Sequence, residues 1–329
     1  MKQVARLFVV VMVFVTLAIF YTIGIDRFPD YENYLRIAEG SGFAVSQSDY
    51  VFEWVSRLLL RSGGNTSEDR VDTLALINQL ICVSYFAWLI LKRDASRVYG
   101  ALLLFCLFGF LFMTTTLRAS AAYLCISAFF VRNARFDLPG SLLLLLSIAW
   151  HDSAAPVVVI CFGTFLIDWL SGGRIFQKNR RSIFLNSIVL SSALLVLSAE
   201  VLRPVLPSFG GLDFGVRAEY LESDGGHSFS KTLFLMFAIY SCYEFVNDVR
   251  QSCRVRIFVV LMVLAMALLN VVNGIMAVRF SFFVFAVILP LRGVFIYRLE
   301  EVSVLRIYAI VFSPLIFLIS VAYVLSNTI

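Results

Sequence analysis

Charge is what this sequence has least of. Only 15% of its 329 residues are Asp, Glu, Lys or Arg, where a soluble domain carries about a quarter. So few polar side chains cannot cover a chain that is 60% hydrophobic, and a freely soluble domain is excluded. Histidine is scarcer still, with His151 and His227 the two in the chain. CxxC, HExxH, Walker and dinucleotide fingerprints are missing, so neither a metal nor a nucleotide cofactor is expected. The six cysteines fall in apolar runs or in a segment assigned to the cytoplasm, which argues against a disulfide framework. The net charge of +5 is no signal for nucleic acid, because basic residues in such a chain mostly set membrane topology.

Long apolar runs fill the space that charge leaves. They lie at 4–25, 71–91, 98–117, 118–131, 136–150, 154–170, 182–202, 232–248, 256–275, 279–297 and 304–325. The predicted fold is therefore an all-α polytopic membrane protein of about eleven transmembrane helices, forming a single domain over 1–329. The first run follows Lys2 and Arg6 and lacks a small-x-small cleavage site, so it reads as a retained helix rather than a signal peptide. With the N-terminus in the cytoplasm, every short loop on the inner side is basic: Lys92 to Arg97, Arg132 to Arg135, Arg174 to Arg181, Arg250 to Arg256. The C-terminus then lies outside. Two long segments also fall outside: 26–70, with an amphipathic pattern over 49–60, and 203–231, rich in Gly and Pro.

Ionisable residues inside apolar runs are costly and mark function by default. Arg118 lies 14 positions before the basic turn at Arg132, about 21 Å at helical rise. His151 lies 16 positions after Arg135, about 24 Å. Arg279 lies 13 positions before Arg292, about 20 Å. Against a hydrocarbon core about 30 Å thick, all three reach one level, below the outer edge. A lone arginine near a helix end often only snorkels to head-group phosphates. Arg118, however, precedes Ala119, Ser120, Ala121 and Ala122, small residues that let helices approach closely. The ordinary reading of His151 is an interfacial histidine bonded to Ser153. External polar residues cluster at Asp26, Asp30 and Glu32 with Tyr31 and Tyr34, and again at Arg217, Glu219 and Tyr220.

Arginines converging from the outer side suit a multiply anionic ligand, since guanidinium binds phosphate oxygens bidentately. An imidazole can take a proton from a hydroxyl. Together, and with no metal-ligand set, these groups fit a transfer in which a lipid diphosphate leaves and a sugar hydroxyl attacks.

Five elements then match one family in order. Asp30-Tyr31-x-Asn33-Tyr34 resembles the D-x-x-x-Y element of EpsG-like and Wzy-type polysaccharide polymerases. Tyr50-Val51-Phe52-Glu53-Trp54 resembles their acidic-aromatic helix. Leu117-Arg118-Ala119-Ser120-Ala121 is similar to their R-Q-x-[LIA]-A helix start, with Ala119 in place of Gln. His151-Asp152-Ser153-Ala154 resembles their H-x-S-A element, and Val278-Arg279-Phe280-Ser281-Phe282-Phe283 their late R-x-x-x-Y/F element. The resemblance implies an inverting, metal-independent glycosyltransferase of the bacterial inner membrane. It would polymerise O-antigen, capsule or exopolysaccharide repeat units carried on undecaprenyl diphosphate, at the periplasmic face. Arg118, Arg279 and Arg217 would hold the diphosphate. His151 or Asp30 would serve as base, His151 being preferred. Tyr34, Glu53 and Tyr220 would shape the sugar site. Implied partners are the lipid-linked oligosaccharide, membrane lipids, a flippase and a chain-length regulator. Rival readings are a flippase for the same lipid-linked oligosaccharide and a membrane acyltransferase acting on the polymer. A flippase would carry polar residues through the full depth of the bundle. An acyltransferase would need an acyl-donor path.

Overall fold

The computed structural model describes residues 2–24, 26, 31–39, 54, 55, 58, 66–91, 95–114, 116–171, 181–202, 229–247, 251–272 and 274–292. Among them there is no strand. The helices are α1 (Lys2–Ile23), α2 (Tyr31–Glu39), α3 (Ser67–Leu91), α4 (Ala95–Leu104), a π-helical turn (Phe105–Gly109), α5 (Phe110–Thr114), α6 (Leu117–Val131), α7 (Leu138–Trp150), α8 (Ala154–Ser171), α9 (Arg181–Leu202), α10 (Phe229–Asn247), α11 (Cys253–Val272) and α12 (Gly274–Arg292). Helix occupies ten of the predicted apolar runs. The run at 304–325 lies outside the described residues, as does nearly all of 203–231. Four helices are long and apolar enough to cross a membrane: α1, α3, α8 and α11. Their outward residues are apolar as well. Leu7, Phe14, Leu80 and Leu268 are all exposed, as suits a surface solvated by lipid tails.

Helix α2 was not foreseen, although its pattern is in the sequence. Tyr31, Tyr34, Leu35 and Ala38 recur at helical spacing, and all four are at least partly buried. Of the amphipathic stretch predicted over 49–60, three residues are described. Val55 packs into the core, while Trp54 and Leu58 face outward.

The chain divides into two compact units, Met1–Val158 with Leu289–Ile329, and Val159–Ile288. In the first, hydrogen bonds fix the direction of each helix. Phe86 meets Phe105 with ring centroids 5.0 Å apart, and Asn78 Nδ2 donates to Phe112 O at 2.9 Å. Residue numbers therefore run in opposite senses along α3 and the 95–114 segment. Along α3 and α6 they rise together: Ser120 Oγ donates to Asn78 Oδ1 at 2.6 Å, and the hydroxyls of Tyr85 and Ser127 are hydrogen-bonded. Direction therefore alternates from α3 through the 95–114 segment to α6.

The break between α5 and α6 is the costly point. A helix that stops in an apolar setting leaves carbonyls with no water to satisfy them. Here each is met. Thr116 N–H donates to Leu111 O at 2.9 Å, Asn78 takes Phe112 O, and Gln79 Nε2 reaches Met113 O at 3.4 Å. Tyr21 Oη in turn donates to Gln79 Oε1 at 3.1 Å. Within α4, Gly100 lies against the end of α12, where an added Cβ would fall 2.4 Å from Pro290 Cα.

A tight hairpin joins α6 to α7. Asn133 and Ala134 take left-handed φ of 69° and 50°. Asp137 caps α7, accepting from Gly140 N at 2.8 Å and from Arg132 at 3.0 Å. The amide bond to Gly140 in particular holds its carboxyl below the usual range, and Arg132 reinforces this.

In the second unit, α9 packs against α11 and α10. Phe237 of α10 stacks on Phe285 of α12, and the Phe234 ring meets it at a tilt. Arg254 of α11 pairs with Asp168 of α8 at 2.8 Å and lies 4.9 Å over the Phe165 ring.

Candidate functional site at one end of the first unit

Helix α1 ends where α3 and α6 begin and α7 finishes. The apolar cluster there includes Phe20, Tyr34, Val71, Leu74, Leu117 and Trp150. Leu117 immediately precedes Arg118, and Trp150 immediately precedes His151. Two of the predicted site positions therefore lie at the same end of the unit. Arg118 is in the first turn of α6, and its side chain is not among those described.

His151 ends α7 with extended backbone, φ −151° and ψ 127°. The chain then turns at once, with Ala154 N–H donating to His151 O at 3.0 Å and Ala155 N–H to Asp152 O at 2.9 Å. That turn folds the Asp152 carboxylate back onto the ring, placing Oδ1 2.7 Å from Nδ1. Two bare acceptors would repel at such a distance, so Nδ1 carries a proton, and in the neutral ring the lone pair is on Nε2. Ser153 N also lies 3.3 Å from Nδ1. With the ring proton on Nδ1, that amide has no lone pair to donate to, and the shorter contact to the carboxylate governs. The imidazole is 8% exposed. A buried ring oriented by a carboxylate is built to accept a proton at Nε2.

Beside this end lies a cavity of about 570 Å³ lined by Phe20, Tyr21, Gly24, Asp26, Tyr31, Glu68, Asp72, Thr73 and Leu76. Gly24 makes it by ending α1 in the left-handed region, φ +87°, with its N–H on Phe20 O. A Cβ there would meet the Asp26 carboxylate at 2.6 Å. Thr66 and Asp69 form a reciprocal cap at the start of α3, at 2.9 and 3.2 Å, and Arg70 donates to Ala38 O to tie α2 to α3. Glu68 and Asp72 are thereby fixed one turn apart on the cavity wall. Burial raises the Tyr31 phenol above its ordinary value, and the carboxylates of Glu68, Asp72, Asp26 and Glu32 add to this. Tyrosine rings next to carboxylates offer stacking faces and paired hydrogen-bond acceptors, the chemistry that holds sugar rings.

No family model, no curated protein and no solved structure matches the chain.

Tyr34 is buried, 6% exposed, with its ring in the apolar cluster. Arg279 lies on α12 in the second unit and is half-buried. Asp30, Glu53, Arg217 and Tyr220 lie outside the described residues. Among the described residues, no three His, Cys, Asp or Glu side chains are grouped to hold a metal ion. Sequence reasoning did not select Asp152 as a site residue, although its place beside one of two histidines was a signal. Glu68 and Asp72 were also passed over, although four-residue spacing on one helix face was visible.

Proposed function

We propose that this chain is a polysaccharide polymerase of the EpsG-like or Wzy-type class. It sits in a bacterial inner membrane with eleven spans, its N-terminus in the cytoplasm and its site toward the periplasm. The observation that carries the reading is the buried His151 held by the part-exposed carboxylate of Asp152 at the end of α7, 2.7 Å away. In the reaction a hydroxyl oxygen of one lipid-linked repeat unit attacks the anomeric carbon of the growing glycan. The new C–O bond forms as the bond to undecaprenyl diphosphate breaks. His151 Nε2 takes the hydroxyl proton, and Asp152 stabilises the imidazolium. The diphosphate departs with the bonding electrons, its charge balanced by Arg118. The single displacement inverts the anomeric centre. The cavity between Tyr21, Tyr31, Asp26 and Asp72 supports a carbohydrate as the acceptor.

The test is complementation of a deletion strain. The parent gene restores long-chain surface polysaccharide, whereas His151→Ala and Arg118→Ala leave single repeat units on the outside. Normal chain length from both variants overturns the site. Repeat units trapped in the cytoplasm of the deletion strain favour a flippase instead. Polymer of normal length lacking only acyl groups favours an acyltransferase.

A further inference from the structure

The buried hydroxyls of this fold mostly serve their own helices. Thr16, Thr114, Thr164 and Ser241 each donate to the carbonyl four residues back, and Ser147 and Ser281 to the one three back. Ser153 does not. It is 9% exposed, and its Oγ has no hydrogen-bond partner among the described residues. Its position directly before α8 is where a serine ordinarily accepts from the N–H two or three residues on. The Ala155 N–H is already given to Asp152 O, and Pro156, three residues on, has no N–H. The local chain has therefore taken away the capping role that would explain the serine. Ser192 is also without a partner, but no ionisable residue lies within four positions of it. Ser153 instead follows the His151–Asp152 pair, and its own N–H lies 3.3 Å from the imidazole Nδ1.

A buried hydroxyl with no protein partner destabilises a fold, and its removal is neutral or favourable. We infer that Ser153 Oγ is a substrate-binding group, hydrogen-bonding a hydroxyl of the acceptor sugar next to the one that His151 deprotonates. Alanine in its place would pack equally well. The hydroxyl supplies both a donor and an acceptor, matching a sugar hydroxyl in either sense. This inference rests on the polymerase reading of the same site.

The experiment uses the full-length protein in detergent or nanodiscs, with lipid-linked repeat units extracted from the deletion strain as substrate. Ser153→Ala is expected to raise KM for the lipid-linked repeat unit about three- to tenfold, the worth of one neutral hydrogen bond. Its kcat stays within about twofold, and its thermal midpoint equals or exceeds that of the parent. Ser153→Thr, which keeps the hydroxyl, retains a KM close to the parent's. An unchanged KM for Ser153→Ala overturns the inference. So does a lowered midpoint with unchanged KM, which would make the hydroxyl a structural one. A parent protein that does not extend the extracted substrate sinks the polymerase reading, and this inference with it. An active parent with an indifferent Ser153→Ala sinks the inference alone.

Discussion

His151 Nδ1 and Asp152 Oδ1 lie 2.7 Å apart although the residues are adjacent in sequence. Neighbouring side chains on a helix or strand diverge. They meet here because α7 ends at Trp150 and the chain turns over three residues before α8 starts at Ala154. Asp152→Asn keeps the shape but removes the charge that stabilises the imidazolium, and its amide N–H can face Nδ1 and favour the wrong tautomer. Polymer synthesis in that variant is expected to fall on the order of 100-fold or more, with its thermal midpoint close to the parent's. Chain-length distribution on gels, read beside a melting curve, checks both halves.

Asn78 serves two partners at once, the Phe112 carbonyl and the Ser120 hydroxyl. Asn78→Leu strands both in an apolar interior. The expected loss is about 1–3 kcal/mol of stability for each group left unsatisfied. Detergent-solubilised protein should melt earlier, and Asn78→Leu with Ser120→Ala should recover part of that loss. A double variant no better than the single would refute the pairing.

Glycines at 140 and 163 make a matched pair. A Cβ at Gly140 would lie 1.9 Å from Arg135 O, whereas nothing lies within 4 Å of one at Gly163. Gly140→Ala must deform the hairpin and is expected to cost about 1–3 kcal/mol. Gly163→Ala is expected to stabilise α8 by up to about 1 kcal/mol. Thermal midpoints moving in opposite directions confirm the contrast.

Asp137 gives the α6–α7 hairpin an acid limit. Its carboxyl is held below the ordinary range, chiefly by the Gly140 amide and then by Arg132. A depressed folded-state value means that the stabilisation is fully present above the ordinary carboxylate range. It is lost as pH falls through the lower folded value. Amide exchange over 133–140, corrected for intrinsic rates, should stay constant above that range and accelerate below it. Asp137→Asn should abolish the step.

Much of this architecture could be read from hydropathy. The runs from 4–25 to 279–297 coincide with helices because burial in lipid demands long apolar segments whatever their neighbours. Arg118 and His151 were legible as costly residues, and the cluster containing Leu117 and Trp150 brings their positions to one end. Asn78 and Gln79 were not legible as structural. Their value lies in carbonyls more than thirty residues away, and no local pattern encodes such a partner. The Asp152 contact depends on a turn of three residues, finer than any hydropathy window. Arg279 was placed by counting from a basic anchor, which measures depth along one helix but says nothing of its neighbours.

The parallel pairing of α3 with α6 bears on how the chain is made. Helix α3 is synthesised first, with an amide pair at its middle that lipid cannot solvate. Tyr21 is already in place for Gln79, but the other partners, from Phe112 to Ser120, arrive some thirty to forty residues later. Until then α3 is a poor resident of the bilayer, so the insertion machinery must retain it at a wet or protein-lined boundary. Release into lipid becomes favourable only when the α5–α6 break is delivered, which makes that break a checkpoint for assembly as well as a joint in the finished fold.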